Sequence, residues 1–433
     1  MTGSERRDAA GRRRKGSARS LRALDWLNFF VADVQTGFGP FVAVYLTEAA
    51  WTQSDIGAVL SVGTIVVMLA QMPVGALIDA ARSKRAVAGA ALAGISVSAL
   101  LFAAWPIFPV VLLARVLHGL ASCALGPAIA AISLGLVGHR AAGERLGRNA
   151  RFASIGTGIA AAVMGATGHY VSSGAVFLLT AALGGPALWM LMLIRAEEID
   201  PAAASGGVPS SPGSSSAPGH PVPVIRLLRN RGLLIFAAAV ALFQLANAAM
   251  LPIIAGAVTK RSADWATVLI AACIVIPQLV VALLSPWIGR QAERVGRRPL
   301  LLLGFAVLPL RAALFALVTS PYLIVPVQAL DGVAAAVLGV LTPLIAADVT
   351  RGAGRFNFAQ GFIGVALGVG ASLSTVTAGI VVDRFGGAAG FLCLAVAACA
   401  ALALVAAAMP ETRPIRDDAI AEPASPPRDK AAQ

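Results

Sequence analysis

Few residues in this chain of 433 could do chemistry, and most of those stand inside long apolar runs. Asp33 lies about halfway along the first run. Arg115 and His118, three apart and therefore on one helical face, lie in the first half of the fourth run. Gln328 and Asp331 repeat that spacing in the tenth, and Arg311 sits midway along the ninth. An ionisable group at the centre of a membrane helix costs at least about 2.5–3.5 kcal/mol, so it usually faces a cavity. A carboxylate beside an arginine takes up a proton only when desolvation or a bound solute raises its proton affinity, which is how proton and solute binding become coupled. Asp33, with Arg115 as its counter-ion, is the expected proton site, and His118 and Asp331 join it as expected proton-coupling residues. A static Asp33–Arg115 bridge that only orders the bundle is the alternative. Gln35, Gln244, Asn247 and Gln328 are the expected substrate contacts, although each could equally tie one helix to the next. Gly37, Gly39 and Pro40 would break the first helix and expose backbone groups to a ligand.

Other chemistries find little support. The four histidines, His118, His139, His169 and His220, are scattered, whereas a membrane transferase would need titratable groups gathered at one face. No G-x-x-x-x-G-K-[ST] pattern for ATP occurs. Cys123, Cys273, Cys393 and Cys399 lie within apolar runs without metal-ligand spacing and read as packing residues. A sensor would need a folded extension, and the tails are of disordered composition. No cofactor or metal is expected.

The elements that must position these residues are transmembrane helices. Hydrophobic residues make up 58% of the chain and charged ones 13%, with a mean hydropathy of +0.81. Soluble domains run at about 45–50% apolar and about 25% charged. Twelve runs are long enough to cross a bilayer, at about 22–47, 54–78, 86–105, 107–137, 150–171, 174–194, 232–257, 264–288, 300–319, 322–348, 357–382 and 387–409. A net charge of +13 would suggest nucleic acid in a soluble protein, but its distribution assigns it elsewhere. Of the 34 lysines and arginines, 29 fall in the tails and alternate gaps, and only Lys260, Arg261 and Arg384 fall in the others. Such asymmetry orients a membrane protein with both termini in the cytoplasm, and the expected location is a bacterial inner membrane. Expected partners are the bilayer, protons and a small-molecule substrate, with no nucleic acid, and the chain is expected to be a monomer.

The tract "PAAASGGVPSSPGSSSAPGHPVPV", residues 201–224, has nothing to bury and reads as a flexible linker. It divides the chain into a basic tail (1–21), a six-helix bundle (22–195), the linker region (196–231), a second bundle (232–409) and a C-terminal tail (410–433). The halves resemble each other. "GALIDAARSKRAV" from Gly75 aligns with "GRQAERVGRRPLL" from Gly289 at an offset of 214, pairing Asp79 with Glu293 and Lys84 with Arg298. "RVLHGLASCALG" aligns with "QALDGVAAAVLG" at 213, and "NARFASIG" with "NFAQGFIG" at 208. The halves therefore form a parallel duplication.

The charged turns carry most of the meaning. An acidic residue at the end of one helix can face the positive N-terminus of a neighbour and pair with adjacent arginines, and such a latch holds only while the two halves are closed at that end. The expected latch comprises Gly75, Asp79, Lys84 and Arg85 in the first copy, and Gly289, Glu293, Arg294, Gly296, Arg297 and Arg298 in the second. The alternative is that the arginines only mark topology.

These features together resemble the major facilitator superfamily, whose turn between the second and third spans follows G-x-L-a-D-R-x-G-R-R. Gly75, Leu77, Asp79 and Lys84 match in the first copy, and Gly289, Arg294, Gly296, Arg297 and Arg298 in the second, with Ala80, Arg82 and Glu293 departing. "RVLHG" is similar to the family's R-x-x-Q-G in the fourth span, with His118 in place of glutamine. The resemblance implies an all-α membrane protein of twelve helices in two six-helix pseudo-repeats, with spans one, four, seven and ten lining a central path. It also implies that Asp79 and its basic neighbours stabilise the outward-facing state. The function implied is secondary active transport, proton-coupled and favouring export, with uptake by proton symport as the alternative. Gly156, Gly158 and Gly165 are similar to the glycine-rich stretch of the family's antiporters, but its Gly-Pro pair is missing.

Overall fold

In the computed structural model every element found among the described residues is helical, and the helices form two packed bundles. The structure describes residues 16–36, 41–207, 222–254, 263–318 and 320–413. The side chains of Asp33 and Gln35, and residues 37–40 with the expected helix break, lie outside that description.

The first bundle comprises α1 (Ala18–Thr36) and α2 (Phe41–Glu48), which together make the first span, then α3 (Gln53–Ala80), α4 (Lys84–Ala104), α5 (Phe108–Val137), α6 (Ala142–Tyr170) and α7 (Ser173–Leu193). The second comprises α8 (Arg231–Asn247), whose apolar run continues to Ile254, then α9 (Ala263–Val295), α10 (Arg298–Leu317), α11 (Pro321–Val349), α12 (Phe356–Phe385) and α13 (Gly387–Ala408). Ten of these helices are long and apolar enough to cross a bilayer. Large apolar side chains such as Leu69, Leu283 and Val396 point outward, as helix faces turned toward lipid require.

Local chemistry explains several helix starts. Thr52, Ser83, Ser172 and Asn230 each accept a backbone N–H from the first turn of the helix they precede. Among the described residues six starts lack a side-chain cap of their own: α5 after Ile107, α6 after Ala141, α10 after Arg297, α11 after Ser320, α12 after Arg355 and α13 after Gly386.

One apolar core fills the first bundle around Leu24, Phe102 and Phe177. The core of the second bundle is not confined to it. It takes in Ala130, Ala131 and Leu134 of α5 and Ala142 and Leu146 of α6, at the end of the molecule where residues 16 and 413 lie. At this base α3 packs on α12 and α6 on α9, joining the halves along two seams.

The first residues of the linker tract differ from their sequence reading, while residues 208–221 of it lie outside the described residues. Residues 196–207 are ordered, with one helical turn at Pro201–Ala204, and Ala203 and Ala204 are buried. Ala204, with Ile199, finds a hollow over Gly135, where a Cβ would stand 3.3 Å from that of Ala204. A Pro, Gly and Ser composition gives no hint of that hollow, because its wall comes from another helix.

Candidate functional site

At the first seam, glycine lets two backbones touch. A Cβ on Gly75 would stand 2.3 Å from the Asn357 carbonyl oxygen, and one on Gly361 would stand 2.2 Å from that of Gln71. The approach brings the Asp79 carboxylate onto the start of α12. It accepts the backbone N–H groups of Asn357 (3.0 Å) and Phe358 (2.9 Å), and Nδ2 of Asn357 (2.8 Å). These N–H groups are orphan donors of a helix start, and a negative charge there also meets the positive end of the helix dipole. Lys84 turns back onto α3, donating to the carbonyls of Ile78 (2.6 Å), Ala81 (2.9 Å) and Asp79 (3.0 Å) and so closing that helix's C-terminus. Arg85 donates to the Ile194 carbonyl at 2.6 Å.

The second seam is built alike. A Cβ on Gly289 would stand 2.2 Å from the Gly143 carbonyl oxygen, and one on Gly147 would stand 2.4 Å from that of Ser285. Glu293 accepts the Gly143 backbone N–H at 3.0 Å, in the first turn of α6. Arg297, only 1% exposed, reaches Asp348 at 2.9 Å, the Ala292 carbonyl at 2.6 Å and Glu293 at 3.5 Å. Such a buried, multiply bonded guanidinium has work beyond marking topology. Gly296 adopts φ +102° where the chain turns into α10, and the start of that helix is capped by Glu411, which accepts from Arg297 (2.8 Å) and Arg298 (3.1 Å). Arg298 itself donates to the Ala406 carbonyl at 2.6 Å, and Arg294 is exposed, with its carbonyl accepting from Arg413. Three of the helix starts that lack their own cap, those of α6, α10 and α12, thus borrow a carboxylate from elsewhere in the chain.

Directly above the seams lies a cavity of about 460 Å³ between the halves. Its described lining carries no charged side chain; the polar groups are those of Asn28, Gln71, Ser122, Asn149, Thr342 and Gln360, with the Cys123 thiol. Nε2 of Gln360 is buried without a hydrogen-bond partner. His118 is one turn from Ser122 on α5 and shares a hydrogen bond of 3.1 Å with its hydroxyl. Arg115 lies one turn further from the base, its guanidinium against the backbone of Gly63, where a Cβ would stand 2.7 Å from Nε. That Nε is buried without a hydrogen-bond partner. The expected Asp33–Arg115 pairing and the Gln35 contact involve side chains outside the described residues.

The other expected substrate contacts do not line this cavity. Their depth explains why: at a rise of about 1.5 Å per residue, Gln328 lies roughly 20 Å along α11 from Thr342, toward the end of the molecule opposite the base. Gln244 and Asn247 lie similarly far along α8 from the base. Oδ1 of Asn247 and Oε1 of Gln328 are buried and unpartnered, so both retain capacity to bond a ligand or water. Asp331 also stands away from the cavity and forms an ion pair with Arg311 of α10, which is 1% exposed. Arg311 therefore neither snorkels to a membrane surface nor stays unpaired.

Sequence reading passed over Asp25, which is 2% exposed and holds both Arg145 and Arg148, the latter in a two-pronged contact at 2.6–3.0 Å. Arg145 in turn donates to Asn149 at 2.8 Å and Asn149 to Ser133 at 2.7 Å, tying α1, α6 and α5 together. The signal available was an acid at the mouth of the first span facing a pair of arginines three apart, but about 120 residues separate them.

The Major Facilitator Superfamily profile matches residues 24–282 and again 236–430. The uncharacterized MFS-type transporters MT2531 and Rv2456c, from two strains of Mycobacterium tuberculosis, are each 40% identical over 374 residues, covering 84% of this chain and 87% of theirs. Among solved structures, an E. coli fucose:proton symporter superposes with a TM-score of 0.69 at 16% identity, covering 89% of this chain and 97% of that one. The human organic anion transporter MFSD10 gives 0.68 at 14% identity over 89% and 99%. FucP in its outward conformation gives 0.70 at 16% identity over 89% and 97%. A multi-pass membrane chain with a duplicated twelve-helix architecture, matched along nearly its whole length, belongs to the Major Facilitator Superfamily.

Proposed function

We propose that the protein is a secondary transporter that moves a small organic solute by alternating access, coupled to protons and working as an exporter, and that it does so as a monomer. The observation that carries this is the pair of carboxylates, Asp79 and Glu293, each reaching across the seam to cap a helix of the opposite half beneath a cavity. Caps of this kind exist only while the halves touch, so the same contacts that close the base must be undone for solute to pass it. The distribution of lysine and arginine supports reading the base as the cytoplasmic side of the membrane, here taken as a bacterial inner membrane. The closed base is then the outward-facing state, and likeness to FucP in its outward conformation supports that assignment.

The described lining of the cavity is uncharged and favours a neutral solute, since an ion there would lose its hydration without a counter-charge from those residues. Asp33 is the proton-binding group, with Arg115 and His118 further along the same path. Uptake by proton symport is the second reading, favoured by the missing Gly-Pro pair in the fifth span. Reconstitution into proteoliposomes with an imposed pH gradient of either polarity, and a panel of neutral, cationic and anionic solutes, tests both. Gradient-driven flux that reverses with polarity and is lost in Asp33→Asn is the expected result. Undiminished gradient-driven flux in Asp33→Asn removes Asp33 from the coupling, and the direction of proton movement relative to solute separates export from uptake.

A further inference from the structure

The start of the linker region bonds to both halves, and we propose that residues 196–207 are a third fastener of the base that must release each time the base opens. This rests on the alternating-access reading above.

The segment is anchored first to the N-terminal half. The backbone N–H of Arg195 donates to the Ser20 hydroxyl at 3.2 Å, and the Glu198 carboxylate accepts the Ser17 backbone N–H (2.9 Å) and hydroxyl (3.0 Å) just before α1. Burial alone would push the Glu198 carboxyl up, but these donors, with Ser20 and Arg195, hold it below the ordinary glutamate value, so it stays ionised at neutral pH. The Asp200 N–H donates to the Gly135 carbonyl at 3.0 Å, and Ile199 and Ala204 fill the hollow over that glycine. Ile199 packs against the cores of both halves.

The next two residues are anchored to the C-terminal half. The Ser205 carbonyl accepts the Phe356 N–H at 3.2 Å, and the Gly206 carbonyl accepts the Gly352 N–H at 2.6 Å. Gly206 adopts φ +75°, and a Cβ there would stand 3.1 Å from the Thr350 hydroxyl and 3.2 Å from Cβ of Phe356.

Two consequences follow. Phe356, Asn357 and Phe358 are the first three residues of α12, and their N–H groups are satisfied by Ser205 and then twice by Asp79. The fastener and the latch therefore complete one cap, and the helix itself supplies none of it. The second consequence is a lack of slack. Only the Ala204–Ser205 peptide separates the two anchors, and consecutive α-carbons stay about 3.8 Å apart. When the halves part at the base, either the Pro201–Ala204 turn unwinds and exposes two buried alanines, or Phe356 and Gly352 lose their acceptors.

The test measures distances across the base by electron-spin resonance, with labels at Arg82→Cys and Arg229→Cys, both exposed, in a protein whose four native cysteines are alanine, reconstituted in liposomes. Gly206→Val strains the C-terminal anchor, and an equal-length Gly-Ser replacement of residues 201–207 removes the seating altogether. Both are expected to raise the ratio of open-base to closed-base populations by about threefold or more, the worth of one to two net hydrogen bonds. The replacement serves if the point variant does not fold. Asp79→Asn is run alongside. A shift with Asp79→Asn but none with either linker variant overturns the fastener and leaves alternating access standing. No shift in any of them overturns both.

Discussion

The two seams at the base use one device with unequal strength. In each, a glycine lets α-helices from opposite halves touch and a carboxylate one turn further along caps the partner helix. Asp79 accepts three bonds, two from backbone and one from the Asn357 side chain, and is helped by the Ser205 carbonyl. Glu293 accepts one backbone bond and shares its charge with Arg297 at 3.5 Å. The basic residues diverge too: Lys84 closes the end of the preceding helix α3, whereas Arg297 bonds the Ala292 carbonyl near the end of α9 while also holding Asp348. Duplication has kept the mechanical plan and let its load shift to one side. The α3–α12 seam should be the stronger fastener and the α6–α9 seam the compliant one.

Asp79→Ala should therefore have the largest effect. It removes a charged acceptor from three donors, a loss of about 3 kcal/mol of preference for the closed base, or roughly a hundredfold in population. Cys123, which lines the cavity, reports it: with the other three cysteines replaced by alanine, a membrane-impermeant maleimide applied from the basal side should label Cys123 faster by that factor. A smaller effect than that of the Glu293 variant would reverse the comparison.

The paired glycines ask whether packing shares the asymmetry. Gly75→Ala and Gly289→Ala place a methyl group at nearly equal distances from an opposing carbonyl, 2.3 and 2.2 Å. Each should cost about 1–3 kcal/mol of closed-state preference, and the two should match in the same labelling assay. A marked difference would mean that packing, and not capping, divides the load.

How much of this was legible depends on whether the cause lies along the chain or across it. The spans were legible because hydropathy and the placement of lysine and arginine are one-dimensional signals, and α5 begins and ends within a residue or two of its expected limits. Asp79 and Glu293 could be singled out because each leaves a local trace: an acid at a helix end that topology does not require. A second trace went unused, the absence of Ser, Thr, Asp or Asn before α6 and α12, at Ala141 and Arg355. Asp25 with Arg145, and Arg311 with Asp331, were hidden because pairing depends on the rotation of each helix about its axis, which twelve nearly all-apolar runs do not reveal. The seating of Ile199 and Ala204 was hidden for the same reason, since its hollow belongs to Gly135.

Glu293→Gln should act more weakly than Asp79→Ala. The amide oxygen keeps one acceptor for Gly143, so the loss is about 1 kcal/mol, or roughly fivefold faster labelling of Cys123 from the base. The variant also leaves Arg297 with Asp348 as its remaining carboxylate partner. Labelling that rises as much as in Asp79→Ala would show the two seams to be equal.

The smallest effect belongs to the third borrowed cap, which stays within one half and so should not report on the base at all. Burial would push the Glu411 carboxyl up, but the N–H groups of Arg297, Arg413 and Arg298 and the Arg297 charge hold it below the ordinary glutamate value. A carboxyl lowered by folding contributes stability above its unfolded value, near 4.3, and that contribution fades as pH falls through the folded value. The backbone amides of Arg297 and Arg298 should thus keep their hydrogen-exchange protection, corrected for intrinsic rates, from pH 7 to about 5 and lose it in stronger acid. Glu411→Gln should weaken that protection already at pH 7 without changing Cys123 labelling. If labelling does rise, the C-terminal tail is coupled to the seams through Arg297, whose side chain reaches Glu293 and whose backbone N–H donates to Glu411.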